Sequence, residues 1–305
     1  MAESRRARVI RGNLLLVLAA MIWGGAFVAQ KSGGAALGSL TFNGVRSALG
    51  ALGLLAVTPL LDKWGLSRKP ATPAERKTLW LGGAVCGVAL FAATNLQQIG
   101  LQYTTVGKGG FITALYIVLV PLLGVFAGKR IHALNWCGVA VALAGLYFLC
   151  GHGERGLDLG DLLLLLCALL FALQILAVSH FSPRVDGVRL SCIQFLVVGA
   201  LNAPFMFVFE QPSLPAVWDN IVAVLYAGLL SSGVAYTLQI VAQKDTEPTV
   251  ASLLMSLESV FAVVAGWLLL QDRLSMLEWI GCALMFVAIL LAQFPSAQGQ
   301  TLKGD

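Results

Sequence analysis

Charged residues are scarce in this sequence of 305 amino acids. Asp, Glu, Lys and Arg make up 11% of the chain and hydrophobic residues 58%, whereas an ordinary soluble domain carries roughly 25% charged residues. A water-soluble fold of this size could not bury that much apolar surface, which excludes a soluble globular protein. A bilayer, in contrast, acts as the solvent for a spanning helix of about 20 mostly apolar residues.

The apolar segments also lack the residues with which membrane enzymes carry out chemistry. The three histidines, His132, His152 and His180, fall at or beyond the ends of these segments, and the sequence has no HExxH pattern. The six cysteines form no CxxC pair and suit small buried apolar positions. We therefore expect no enzyme activity, no catalytic residue, no metal site and no cofactor.

Apolar segments of spanning length make up most of the chain. They predict an all-α polytopic membrane protein with ten transmembrane helices, short connections and two cytoplasmic tails, 1–12 and 295–305. The predicted spans are 13–30, 40–61, 79–100, 106–127, 134–150, 161–181, 189–209, 217–241, 249–270 and 276–294.

The basic residues lie mostly on one side of this arrangement. Of the 20 Lys and Arg residues, fifteen fall on the side that holds the N-terminus, four fall on the other side, and Arg46 lies within the second span. Because loops rich in Lys and Arg stay in the cytoplasm, both termini are predicted to be cytoplasmic, in a multi-pass protein of the cell membrane, a bacterial inner membrane. Topology thus accounts for the net charge of +5, and we expect no nucleic-acid partner.

Three stretches of the first half recur in the same order in the second half. The alignments pair Gln98 with Gln239, Gln102 with Gln243 and Trp23 with Phe171, at offsets of 141, 141 and 148 residues. They predict two five-helix repeats, 13–150 and 161–294. Because five is odd, the second repeat enters the membrane from the opposite side. Inverted repeats of this kind are typical of secondary transporters, whose substrate site lies near the bilayer midplane between the repeats.

The chain resembles the EamA-type transporters of the drug/metabolite transporter superfamily. The resemblance rests on MIWGGAFVAQK in the first span, TFNGVRSALGALGLL in the second, GKGGFITALYIVLVPLLGVFAGKR in the fourth and SLESVFAVVAGWLLLQDRL in the ninth, and it covers about 13–292. It implies ten spans in two EamA-like repeats and the export of amino acids, metabolites or drugs. The family often has Glu-Pro where this chain has Glu258-Ser259, so the resemblance does not imply a proline kink in the ninth span.

Polar residues inside the spans are the candidates for a solute path, since each costs free energy unless it finds a partner or water. Asn95, Gln98 and Gln102 share one helical face of the third span. Gln98 and its repeat partner Gln239 are predicted to face one shared cavity. The alternative is that these amides join helices by hydrogen bonds. The full set of candidate substrate-binding residues is Trp23, Phe27, Asn43, Asn95, Gln98, Gln102, Tyr116, Gln174, Gln194, Ser232, Tyr236 and Gln239.

Two charges, Arg46 and Glu258, lie well inside predicted spans. Counting along the helices places their Cα atoms within roughly 8 Å in depth, so a side-chain contact is feasible. Three interpretations of Glu258 stay open. It forms a structural pair with Arg46 or other groups, it binds a proton or a substrate amine, or it is exposed to water.

These features favour a secondary transporter that moves a small metabolite, amino acid or drug by alternating access, as an exporter. The alternatives are a channel or facilitative pore and, less favoured, a membrane scaffold or receptor. The expected partners are a small-molecule solute, the lipid bilayer and protons for coupling. The pairs Gly83/Gly87 and Gly124/Gly128 are predicted to be close-packing faces within the bundle, which favours a monomer over the alternative of a dimer.

Overall fold

The computed structural model describes residues 5–104, 106–128, 131–150, 158–270 and 275–293. Residues 1–4 of the N-terminal tail and the whole C-terminal tail lie outside the described residues. So do five of the basic residues used for the topology, namely Lys129, Arg130, Arg155, Arg273 and Lys303.

Within the described ranges, ten helical segments cross the molecule, and we number them α1 to α10. The single helices are α1 (Arg5–Leu37), α2 (Ser39–Lys63), α3 (Pro73–Tyr103), α5 (Ala133–Cys150), α6 (Leu159–Phe181), α7 (Gly187–Phe209) and α10 (Met276–Gln293). The composite segments are α4 (Val106–Ala114 and Tyr116–Phe126), α8 (Ile221–Leu225, Tyr226–Ala235 and Tyr236–Ala242) and α9 (Pro248–Met255 and Glu258–Leu270). A short helix, Leu214–Asp219, precedes α8.

Eight of these segments are long and apolar enough to cross a membrane, and α5 and α10 supply two shorter apolar helices, Ala133–Phe148 and Trp279–Leu291. Large apolar side chains such as Leu52, Leu162 and Phe207 are exposed on the outside of the bundle, where lipid is their natural solvent. The predicted fold class, an all-α polytopic membrane protein, is confirmed.

The helices of the two halves contact one another in matched pairs. The contact of α3 with α6 matches that of α8 with α1, and the contact of α3 with α7 matches that of α8 with α2. The contact of α4 with α6 likewise matches that of α9 with α1. The remaining large interfaces, α2 with α7, α4 with α9 and α5 with α10, join equivalent helices of the two halves. A two-fold axis between the halves would produce this pattern, in which α5 and α10 pair with each other.

The fourth helix of each half is broken, although the sequence predicted two continuous spans. α4 breaks at Leu115, where backbone bonds from Leu115 N to Ile112 O and from Val118 N to Leu115 O tighten the turn. α9 breaks at Ser256 and Leu257, with the corresponding bonds Leu257 N to Leu254 O and Ser259 N to Ser256 O. The break in α9 therefore occurs without the proline that the family often has. Both breaks lie close to the centre of their spans.

α8 contains a ten-residue π-helical stretch, Tyr226–Ala235, in which Tyr236 N donates to Ser231 O five residues earlier. Such helices are rare and often lie at functional sites, because the wider turn redirects the side chains that follow. Here the stretch packs closely on α2. A Cβ built on Gly228 would lie 2.8 Å from Leu49 Cβ, and one built on Gly50 would lie 2.9 Å from Ser232 Cβ.

The two predicted close-packing faces differ in how closely their glycines approach a neighbouring helix. A Cβ atom built on Gly83 would overlap Ile193 Cγ2, and one built on Gly87 would lie 2.7 Å from Val197 Cβ, so α3 and α7 approach closely there, as predicted within the bundle. A Cβ on Gly124 would meet its nearest neighbour at 3.9 Å, and one on Gly128 would meet nothing within 4 Å. The predicted contact within the bundle is therefore not formed at Gly124/Gly128 among the described residues, and the alternative of a face for a second copy stays a prediction.

Candidate functional site

A cavity lies between the two halves, with about 470 Å³ of space that protein atoms do not occupy, part of it open to solvent. Both halves line it, through α1, α2, α3 and α4 on one side and α6, α8 and α9 on the other. The lining residues are Trp23, Phe27, Gln30, Arg46, Gln97, Tyr116, Phe171, Gln174, Ile175, Ser231, Tyr236, Gln239, Met255 and Glu258.

Four buried polar atoms in this lining have no hydrogen-bond partner among the described residues. Two are donors, Trp23 Nε1 and Arg46 Nε, and two are acceptors, Gln30 Oε1 and Gln239 Oε1. Buried polar groups in proteins are nearly always satisfied, because an unpaired one costs about 1–3 kcal/mol. These four unpaired atoms offer two donors and two acceptors to a polar ligand in the cavity.

Aromatic side chains form the apolar part of the lining. Trp23 packs edge-on against Tyr236, with ring centroids 4.7 Å apart, and Phe195 supports Tyr236 from behind at 5.3 Å. Trp23 and Phe27 lie one turn apart on α1 and both line the cavity, and Phe171, the repeat partner of Trp23, lines it from α6. The cavity thus combines an aromatic wall with a few polar groups, the usual composition of a ligand site.

Arg46 enters the cavity from α2 and is 3% exposed. Among the described residues its guanidinium forms no salt bridge; its Cζ lies 5.8 Å from the centroid of the Phe42 ring. The pair with Arg46, which one interpretation of Glu258 allowed, is therefore not formed. The hydrogen-bond partner of Glu258 is Tyr116 instead.

Glu258 is the first residue of the second part of α9, and its carboxylate is 7% exposed. The Tyr116 hydroxyl, just after the break in α4, donates to Glu258 Oε1 at 3.0 Å. Ser259 Oγ donates to Gly110 O at 3.4 Å. The two broken helices are thus joined at their breaks, and the interpretation of Glu258 as exposed to water is wrong.

Glutamines form a hydrogen-bonded chain at one end of the cavity. Gln174 Nε2 donates to Gln194 Oε1 at 3.1 Å, and Gln174 Oε1 accepts from Gln239 Nε2 at 3.2 Å. Gln239 Nε2 also donates to Gln243 Oε1 at 3.0 Å. Gln243 Nε2 in turn donates to Ser179 Oγ at 3.1 Å and to Ile175 O at 3.3 Å. The chain holds α6 and α8 together.

Eight of the fourteen predicted site residues line the cavity: Trp23, Phe27, Arg46, Tyr116, Gln174, Tyr236, Gln239 and Glu258. The other six lie outside its lining: Asn43, Asn95, Gln98, Gln102, Gln194 and Ser232. Asn43 Nδ2 donates to Thr94 O and Asn95 Oδ1, so this pair joins α2 to α3 as the alternative interpretation held. The predicted binding roles themselves stay predictions.

Gln98 does not face the same cavity as Gln239, contrary to the prediction. Its Nε2 donates to Gln30 O at 2.7 Å and occupies space that the missing side chain of Gly34 leaves free. The neighbouring residue Gln97 lines the cavity instead. Gln102 is exposed, and its Nε2 lies 3.4 Å from Gln98 O on its own helix.

Ser231 lines the cavity in place of Ser232, whose Cβ lies close to Gly50 of α2. The choice of Ser232 assumed 3.6 residues per turn along the eighth span, and the π-helical stretch shifts that register. Sequence reasoning also missed Gln30, Gln97, Phe171, Ile175 and Met255 as lining residues. Gln30, at the end of an apolar span, carried a detectable polar signal.

The comparisons with known proteins agree with this architecture. The sequence profile described as "EamA-like transporter family" matches the chain twice, over residues 10–151 and 158–294. An uncharacterized transporter of Archaeoglobus fulgidus is 31% identical over 280 residues, covering 92% of this chain and 84% of that protein. The uncharacterized inner membrane transporter YedA of Escherichia coli K12 is 27% identical, with coverages of 89% and 87%.

A solved crystal structure shares the fold. It superposes with a TM-score of 0.76 at 21% identity and covers 92% of this chain and 96% of its own. The double profile match and the 31% identity to the Archaeoglobus fulgidus protein give one conclusion: this chain, a multi-pass membrane protein, belongs to the EamA-like transporter family.

Proposed function

We propose that this protein is a secondary transporter that exports a small metabolite, amino acid or drug by alternating access, with the cavity between its halves as the solute site. The observation that carries the proposal is the cavity, which both halves line and in which four buried polar atoms lack protein partners among the described residues. A solute that replaces water in such a site satisfies these groups, while its apolar part contacts Trp23 and Phe171.

The chain is proposed to work as two inverted five-helix units, 13–150 and 161–294. The two profile matches and the paired helix contacts support this division. The distribution of Lys and Arg supports cytoplasmic termini in a cell membrane, which we propose is a bacterial inner membrane. The monomer contains both halves of the site and is the proposed functional unit.

Arg46 favours a solute that carries an anionic group. A guanidinium is always charged in proteins and is expensive to bury in a membrane unless an anion or several acceptors face it. Arg46 is buried in the cavity, and no carboxylate of the described residues lies within salt-bridge distance. A carboxylate or phosphate on the solute would provide the counter-charge.

A channel or facilitative pore is the alternative. Channels need a path that conducts while open at both faces, often through rings of like groups from several copies. The cavity of this chain is instead lined by side chains from both halves of one chain, with hydrogen-bonded contacts between helices at either end, which suits a carrier. A scaffold or receptor gives no reason for a buried guanidinium without a carboxylate partner in the described part of the chain.

The proposal is tested by growing cells that overexpress the protein in the presence of toxic compounds. The panel consists of amino acid analogues, purines and dyes. We expect resistance to at least one compound, with less of it retained in the cells. The Arg46→Gln variant, inserted to the same level, should lose resistance to an anionic member of the panel. Unchanged sensitivity to every compound would contradict export.

A further inference from the structure

A second, open pocket lies next to the cavity, on the side where α8 reaches its C-terminus. About 770 Å³ of unoccupied space, much of it solvent, lies among polar residues that include Arg8, Ser179, Gln243, Lys244 and Thr246. Arg8 and Asp245 form an ion pair across it at 3.6 Å. The pocket therefore offers a hydrated, polar surface at one face of the membrane.

A set of hydrogen bonds connects the lining of this pocket to the lining of the cavity. Gln174 and Gln239 line the cavity, whereas Ser179 and Gln243 line the pocket. The bonds from Gln239 to Gln174 and Gln243, and from Gln243 to Ser179, connect the two groups. We call these four residues the amide clamp.

The equivalent place in the first half carries a different clamp. Extending the alignment of 20–30 with 168–178 by one residue pairs Lys31 with Ser179. Lys31 Nζ donates to Leu101 O at 2.5 Å and to Thr104 O at 3.0 Å, which are carbonyls at the C-terminal end of α3, and Gln98 donates to Gln30 O nearby. We call Lys31, Gln30 and Gln98 the lysine clamp.

We propose that the polar pocket is the vestibule of the solute path on the face where α8 ends, and that the amide clamp is the gate between vestibule and cavity. The lysine clamp is the gate at the opposite face. This inference rests on the proposed transport function and names the parts of the site that open.

The chemistry of the amide clamp suits a gate. All its members are neutral, and each of its hydrogen bonds can be exchanged for one to water or to a polar solute at little net cost. An amide donates and accepts, so a passing solute with either kind of group can replace the contact. α6 and α8 can therefore separate at this end without leaving a buried charge.

The two clamps lie at opposite ends of equivalent helix pairs, α6 with α8 and α1 with α3. Alternating access requires that one such pair separates while the other stays closed. The repeat relation between Gln98 and Gln239 is thus explained, since each belongs to the clamp of its own half and they do not face each other across one cavity.

A single reporter cysteine tests the gates. The reporter is Ser231→Cys, at a position that lines the cavity, in a background without the six native cysteines. Its reaction with a membrane-impermeant thiol reagent, a charged methanethiosulfonate, is timed from each face in oriented vesicles. Gln243→Ala opens the amide clamp, and Lys31→Ala opens the lysine clamp. Gln102→Ala, which changes the exposed repeat equivalent of Gln243, is the matched control.

We expect Gln243→Ala to raise the labelling rate about tenfold from the face that carries Lys244, with no increase from the other face. A tenfold change corresponds to about 1.4 kcal/mol. Lys31→Ala should raise labelling from the opposite face, and Gln102→Ala should change neither rate.

Equal rates in Gln243→Ala and Gln102→Ala would overturn the gate while leaving the transport proposal intact, provided that the Ser231→Cys reporter is labelled and both proteins unfold at the temperature of the parent. No labelling from either face in any variant would show that the cavity is not on a water-filled path. That result would overturn both the gate and the proposed solute path.

Discussion

At the scale of single residues, Glu258 and Tyr116 are the clearest link between the two halves. Each is next to the break in its helix, and they share a hydrogen bond of 3.0 Å while being 7% and 4% exposed. A carboxylate near the bilayer midplane is costly to keep charged. Two interpretations remain, a proton or substrate-amine site and a structural partner for Tyr116.

Changing Glu258 to Gln separates these interpretations. The amide still accepts a hydrogen bond from Tyr116, so the protein should insert and fold, but it can no longer bind and release a proton. We expect solute accumulation driven by a pH gradient to be lost in proteoliposomes, while exchange of solute across the membrane persists.

Tyr116→Phe is the matched control for this experiment. It removes the donor and leaves one acceptor of Glu258 unpaired, which should cost about 1–3 kcal/mol and lower the unfolding temperature. Because the carboxylate remains, accumulation should persist. Wild-type accumulation in Glu258→Gln, or unfolding of that variant, would make Glu258 a structural residue.

Site residues were predictable from the sequence where the type of side chain alone marks the position. Trp23, Arg46 and Glu258 stand out because polar or aromatic groups within an apolar span are visible in the sequence. The choice between Gln97 and Gln98, or between Ser231 and Ser232, depends on how far a helix is rotated. That rotation follows from the contact of Gly34 with Gln98 and from the π-helical stretch of α8, both of which are tertiary effects.

At the scale of helices, the broken fourth helices are the main departure from the sequence prediction. Leu115 aligns with Glu258 at an offset of 143 residues, so the two breaks are near-equivalent in the repeat. Pro121 of α4 lies beyond its break and does not cause it. Hydropathy detects that a segment is apolar, and it carries no information about one tightened turn within it. Broken helices at a midplane site are typical of transporters.

A prediction about the helices concerns the point where α1 crosses α9, just after the break in α9. A Cβ on Gly24 would overlap Phe261 Cβ and lie 2.7 Å from the Phe261 carbonyl carbon. Gly24→Ala should force the helices apart and destabilise the protein by about 1–3 kcal/mol. Thermal unfolding of detergent-purified protein measures the change.

Gly124→Ala is the comparison, because its nearest neighbour would be 3.9 Å away. It should leave the unfolding temperature unchanged or raise it slightly, since Ala favours helix over Gly by about 1 kcal/mol. Equal unfolding temperatures for the two variants would contradict the close contact of α1 with α9.

At the scale of the whole molecule, the paired contacts between halves are what an inverted repeat produces. The repeat was predicted from a few aligned glutamines and aromatic residues, and it stays a prediction that these contacts support. The number of apolar segments was detectable in the sequence. Which helices pack together was not detectable, because most spans are apolar on all sides and hydropathy does not distinguish lipid-facing from partner-facing surfaces.

The orientation of the molecule gives the next prediction. Reporter domains fused after Arg155 and after Ser296 should report opposite faces of the membrane, with the second in the cytoplasm, because fifteen basic residues lie on that side. The same face for both fusions would contradict five spans in the second half and, with them, the inversion of the repeats.

The claim that the cavity carries a solute to one face at a time is tested most directly by counterflow in proteoliposomes. Vesicles loaded with an unlabelled solute from the growth screen should transiently accumulate the same labelled solute from outside, with a rate that saturates. Arg46→Gln and Gln239→Leu, inserted to equal amounts, should lose this accumulation. Flux that rises linearly with concentration and shows no counterflow would indicate a pore and contradict the account.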